Sequence, residues 1–239
     1  MKYQQAGNAL FLILIAVALF AALSYAITQS SRGGGNVSKE TTSLATSNLI
    51  QYMQSLKTGV DRLLILGCSP YDISFETPDG RFTNASAPAD NSCHLFHTSG
   101  AGLTFQDADT NLLNSALSGE SRYGEISIQR NYAIDMGDAI STNYAQDFTL
   151  PYVTDAVCLE INQKLHGIST IPENTSTTAL HYPTRGDNPF SHGHSIGCDV
   201  SDLTSNACGT NVGCFKIGGI WGGSTEANMV YQLLLPENP

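Results

Sequence analysis

Nineteen consecutive positions, Ala9 to Ile27, carry no charged side chain, and their only polar groups are Ser24 and Tyr25 near the far end. Such a run shows neither the 3.6-residue period of an amphipathic helix nor the alternation of a strand. As a helix it rises about 28 Å, the hydrocarbon thickness of a bilayer. No other stretch is comparably apolar. A break follows at Arg32-Gly33-Gly34-Gly35-Asn36. Each glycine costs a helix about 1 kcal/mol relative to alanine, so three in a row predict a hinge. Ser38 to Leu66 then reads as a second helix. Leu49, Met53, Leu56, Val60 and Leu63 form a stripe down one face, widened by Leu64 and Leu66, and Gly67 is its stop signal. The stripe is expected to pack on the domain's own sheet.

Beyond Cys68 the periodicity weakens. Pro70, Pro78, Asp79-Gly80 and Pro88 punctuate a loop-rich stretch to Gly102, within which Tyr71–Thr77 and Cys93–Thr98 read as short strands. Asp107–Leu117 reads as a short helix capped by Asp107 or Asp109. Gly124–Arg130 alternates polar and apolar and reads as a strand. Pro151 suits the first turn of a helix over Tyr152–Leu165 that Gly167 would end, with Val153, Val157, Ile161 and Leu165 on one face and Cys158 beside them. Pro172–Gly197 has little period. Gly213–Ile217 and Met229–Leu235 predict an antiparallel hairpin around Gly218, Gly219, Gly222 and Gly223. The fold class expected is α+β: a long N-terminal helix with a glycine break, then a disulfide-bonded head containing an antiparallel sheet.

Charge and cysteines sharpen this picture. Only 13% of the 239 residues are charged, about half the soluble average, and the net charge is −10. No basic patch able to track phosphates is expected, so nucleic acid is a poor partner. Six cysteines all follow the apolar run: Cys68, Cys93, Cys158, Cys198, Cys208 and Cys214. Local spacing favours Cys68–Cys93, with Cys198–Cys208 and Cys158–Cys214 among the arrangements open to the others. The absence of any CxxC argues against structural zinc and thioredoxin-like redox chemistry. Disulfides require an oxidising compartment, which places this region outside the cytoplasm.

The leader Met1–Gly7 carries Lys2, which favours a cytoplasmic N-terminus. Two processing routes fit. One is removal of a signal peptide after Ser24-Tyr25-Ala26. The other is retention of the helix with a cut after Gly7.

Lys2, Gln5-Ala6-Gly7 and the apolar helix opening at Asn8 give the N-terminus a family likeness. With the amphipathic helix and disulfide-bonded head that follow, the chain resembles type IV pilins and the pseudopilins of type II secretion systems. Asn8 stands where the family usually has Phe, and Leu12 where it usually has the Glu that pairs with a neighbouring subunit's amine. The resemblance implies a leader over 1–7, a membrane or filament-core helix over 8–32, a hinge over 33–36 and an extracytoplasmic head over 37–239. It implies cleavage between Gly7 and Asn8, methylation, and assembly through Ala9, Leu12, Ile15, Leu19 and Leu23. Gly33, Gly34 and Gly35 would let the head tilt on its stem. The implied function is a structural subunit of a helical homo-oligomeric filament, held in the inner membrane before assembly and then displayed at the cell surface. The alternative is a membrane-anchored or secreted binding domain for a glycan or surface partner.

No enzyme or cofactor is expected. His192 and His194 are spaced to share a metal, with Asp187, Cys198 and Asp199 nearby, but an exposed polar loop is the preferred reading. No GxSxG elbow occurs, and Gly-Gly-Ile-Trp-Gly-Gly lacks the Lys-Ser/Thr ending of a phosphate loop. Asn36, Asn84 and Asn174 begin glycosylation sequons.

Overall fold

The computed structural model describes residues 6–30, 34–120, 123–130, 134–135, 146–174, 196–197, 211–218 and 226–235. They form three α-helices, α1 (Ala6–Ser30), α2 (Gly34–Ile65) and α3 (Asp155–His166), with two 3-10 turns at Thr110–Leu112 and Ser115–Leu117. The strands are β1 (Ser127–Arg130), β2 (Ile134–Asp135), β3 (Gln146–Val153), β4 (Glu173–Asn174), β5 (Ile196–Gly197), β6 (Val212–Gly218) and β7 (Glu226–Leu235). The chain divides into two compact units, Met1–Thr42 and Ser43–Pro239.

In the first unit, α1 covers the apolar run. Among the described residues no helix is long and apolar enough to cross a membrane. Of the expected hinge, Gly34 and Gly35 are the first residues of α2. The first turn of a helix has no intrahelical acceptors for its N–H groups, so glycine is tolerated there. Gly33 lies outside the described residues.

In the second unit, four strands make an antiparallel sheet in the order β1-β3-β7-β6, and β4 adds a short parallel pair at the outer edge of β6. One sheet face presents Phe148, Leu150, Cys214, Val230 and Leu234 to the α2 stripe and to Val157, Cys158 and Ile161 of α3. Met53, Leu56, Val60 and Leu63 are fully buried there, so the stripe does pack on the domain's own sheet. Each such side chain contributes about 1.5–3 kcal/mol through burial. Tyr52 meets Phe148 edge-on at 6.3 Å. The opposite face gathers Tyr152, Phe215, Ile217, Ala227, Met229 and Tyr231.

Three elements differ from the sequence reading. Pro151 lies in β3, not in a helix, and α3 starts at Asp155 behind the N-cap Thr154, whose hydroxyl accepts from the Val157 N–H. At Pro151–Val153 the pairing with β7 slips by one residue. Tyr152 absorbs the slip at φ 64°, a left-handed conformation for a bulky residue, at a cost of about 1–3 kcal/mol. Its ring thereby reaches the second face. The expected helix over Asp107–Leu117 is two 3-10 turns, capped by Asp109 and Asn114. Both cap side chains accept a backbone N–H two residues on, which favours turns over a continued helix. The strands expected near Tyr71 and Cys93 reduce to a single parallel bridge, Ser74 to His94. Gly100 is required beside it, since a Cβ there would lie 2.0 Å from the His94 carbonyl oxygen.

The remaining reading holds. The hairpin is β6–β7, paired from Val212↔Gln232 to Gly218↔Glu226. Gly167 ends α3 in the left-handed conformation at φ 71°. Cys68–Cys93 and Cys158–Cys214 are both bonded. Cys198 and Cys208 lie outside the described residues.

Helix α3 also closes the outer edge of β6. The buried Asn162 side chain donates to the Cys214 carbonyl at 2.8 Å and accepts from the Cys214 N–H at 2.9 Å. His166 Nε2 donates to the Val212 carbonyl at 2.7 Å, and the Lys216 N–H donates to the Pro172 carbonyl. An open strand edge is a template for pairing with other chains. Replacing Asn162 by leucine is expected to lower unfolding free energy by about 2–4 kcal/mol, because two buried backbone groups lose their partner. Urea denaturation of the Asn162→Leu protein measures this.

Candidate functional site

The most unusual surface of the molecule is α1. All fifteen residues from Phe11 to Tyr25 are exposed, Phe20 at 74% and Leu19 at 65%. Of the positions expected to drive assembly, Leu12, Ile15, Leu19 and Leu23 are on this exposed helix. Ala9 lies in α1 as well, as do Gly7 and Asn8 flanking the expected cut. The apolar side chains have no favoured side, as an uninterrupted run dictates. A helix apolar all round cannot be satisfied by one packing partner and needs cover on every face.

The head offers polar features of three kinds. The first ties α3 to α2: Ser43 Oγ donates to Glu160 Oε1, Lys164 pairs with Glu160 at 2.6 Å, and Lys164 Nζ donates to Ser47 Oγ. The Glu160 carboxyl is pulled below its ordinary value: burial pushes it up, but the bonds from Lys164 and Ser43 and the lysine's charge outweigh that.

The second is a shallow cleft of about 130 Å³ between α2 and the segment leading to the first 3-10 turn. Ala45, Leu49, Leu112 and Ile126 line its floor, with Tyr52, Asp107 and Asp109 beside them. Tyr52 Oη accepts from the Gln106 N–H at 3.2 Å, and burial raises its pKa. Arg81 holds Asp107 at 3.6 Å while lying 4.8 Å over the Phe105 ring. This volume admits a single small side chain, and the acids around it are occupied: Asp109 caps the 3-10 turn.

The third is a band of buried polar atoms on the β3–β7 ladder. Gln146 Oε1, Asp147 Oδ1, Thr149 Oγ1, Asn228 Oδ1 and Gln232 Oε1 have no hydrogen-bond partner. Burial drives the Asp147 carboxyl well above the ordinary range, against a small opposing contribution from its own N–H. Burial thus disfavours the charged form of Asp147 relative to an exposed carboxyl. Hydropathy could not have flagged it: Gln146, Asp147 and Thr149 are polar, and only the sheet buries them.

The histidines supply no metal centre among the described residues, which contain no group of three or more potential metal-binding side chains. His192 and His194 lie outside those residues. His94 and His97 meet edge-on at 6.4 Å. Burial lowers the His94 pKa first, Glu76 and Asp90 oppose this, and His97 adds to it. Of the sequons, Asn84 is engaged: its amide nitrogen donates to the Tyr71 and Ile73 carbonyls, and its oxygen accepts from the Ser86 N–H.

Asp147 yields a test of the buried band. Its folded pKa is raised, so the folded chain keeps a proton that the unfolded chain releases near pH 3.8. This contribution to stability is full below that pH and declines as pH rises toward the folded value. Asp147→Asn removes the titration while keeping the shape. The variant is expected to gain urea resistance over the natural chain progressively from pH 4 to pH 8, measured as the difference in denaturation midpoints.

The chain matches no protein-family model, and neither a curated protein nor a solved structure proves similar to it.

Proposed function

We propose that the chain is a structural subunit of a pilus-like filament, assembled through α1 and displaying the disulfide-bonded head. The observation that carries this reading is the exposure of Phe11 to Tyr25 around the whole helix. A side chain such as Leu or Phe gains about 1.5–3 kcal/mol when water is removed from it. Ten or so in one helix make the free state unsustainable in water. A bilayer covers them before assembly, and copies of the same helix cover them afterwards. Identical subunits stacked head to tail need not close into a ring, which gives an open helical polymer.

Two further features support the reading. The head buries its α2 stripe internally, so α1 is left as the element requiring a partner. The two disulfides among the head's described residues suit an exposed life outside the cytoplasm. Leu12, in place of an acidic residue, leaves the packing register to shape alone.

Mass spectrometry of the mature N-terminus tests processing: a chain starting at Asn8 supports the proposal, and one starting at Ile27 ends it. Leu19→Arg tests assembly. A charge at the middle of a membrane helix costs about 2.5–3.5 kcal/mol. Sheared cell-surface material from the variant is expected to lack the filaments that electron microscopy shows for the natural chain, while the head keeps its disulfides.

A further inference from the structure

We propose that residues 94–103 form an acid-released latch on α2, unfastened when His97 takes up a proton beside His94. The inference goes beyond the filament reading and does not depend on it.

The segment is tied down at both ends. At the far end Arg62 Nη1 of α2 donates to the carbonyl of the buried Ala101 at 3.3 Å. Leu103 follows it onto the helix: a Cβ on Gly59 would lie 2.6 Å from Leu103 Cδ1, so that side chain rests on bare helix backbone. Leu95, fully buried, meets the same glycine. At the near end the Cys68–Cys93 bond fixes Cys93, and the Leu95 N–H donates to the Ser74 carbonyl. Between these anchors the chain reverses in a tight turn over 97–102.

His97 fastens that turn. Its carbonyl accepts from the Gly100 and Gly102 N–H groups, and its ring Nδ1 accepts from the Ser99 N–H at 3.1 Å. The Ala101 N–H donates to the His94 carbonyl. A ring nitrogen accepts only while it carries no proton, and in a charged histidine both nitrogens are donors. Protonating Nδ1 therefore sets two N–H groups against each other, and the ring has to leave the Ser99 N–H. Histidine is the side chain that makes this change in mildly acidic solution.

His94 acts in the same direction. The two rings lie 6.4 Å apart, so a proton on each places like charges side by side. Burial, first, and His97 push the His94 pKa down, against Glu76 and Asp90. A base with a lowered folded pKa stabilises the fold above its ordinary value, here 6.5, and loses that contribution as pH falls. The charged groups around the pair are Glu76 on the 74–76 segment, Asp90 in the 88–91 turn and Arg62 on α2. The two carboxylates moderate the repulsion at His94 but give the Ser99 N–H no new acceptor. What opens is bounded: Cys93 and Leu95 stay tied, and 97–103 lifts from α2 at Gly59 and Arg62.

The experiment is amide hydrogen exchange on the purified full-length chain in detergent micelles. It is read by peptide mass spectrometry and corrected for the intrinsic pH dependence of exchange. Protection of a peptide covering 99–103 is expected to fall about fivefold or more between about pH 7.5 and about pH 5, with its midpoint in the histidine range. Peptides of β6 and β7 are expected to lose none. His97→Asn supplies a side-chain oxygen that accepts the N–H two residues on and does not titrate. This variant is expected to keep the turn protected at both pH values. His94→Gln removes only the neighbouring charge and is expected to show a smaller fall than the natural chain. Four results overturn the inference: unchanged protection in the natural chain; a midpoint below about pH 4.5, where carboxylates titrate; an equal loss in β6 and β7; or a fall in His97→Asn as large as in the natural chain.

Discussion

Cys214 is held by α3 in two ways, and the head is organised around that double attachment. Its sulfur is bonded to Cys158, and its backbone N–H and carbonyl are both taken by the Asn162 amide, four residues along the same helix. The two contacts fix α3 against β6 in rotation as well as distance. They pair the backbone of Cys214 at a strand edge that could otherwise invite another chain. Once α3 is fixed, the sheet face it shares with α2 is defined, and the stripe from Leu49 to Leu63 has a surface of matching shape to cover.

The opposite sheet face follows different rules. Tyr152 reaches it only because β3 slips by one residue against β7 and adopts a left-handed backbone at that point. The strain is compensated by a ring packed among Phe215, Met229 and Tyr231. Close by, along the same ladder, Asp147 and Thr149 have lost water without gaining a described partner. A fold selected for stability alone would place apolar groups there, since burying a polar group without a partner costs free energy. The unsatisfied polarity of the sheet thus gathers along the β3–β7 ladder.

The two ends of the first hundred residues differ in the same way. Residues of α2 from Ala45 onward solve their burial within the head, whereas α1 leaves Phe11 to Tyr25 exposed.

Much of this was legible in the residues themselves. The stripe at Leu49, Met53, Leu56, Val60 and Leu63, the stops at Gly67 and Gly167, the β6–β7 hairpin and the Cys68–Cys93 pair all express local periodicity, backbone freedom or short chain separation. A sequence carries such information directly. What it could not carry was β3. A central strand is buried on both faces, so Gln146–Val153 shows no alternation, and Pro151 pointed to a helix start instead. The burial of Asp147, the turn at Tyr152 and the clamp of Asn162 on Cys214 depend on residues far apart in the chain, as with Asn228 and Val153, 75 positions apart. Their energies come from desolvation and edge pairing, which exist only once distant strands have met.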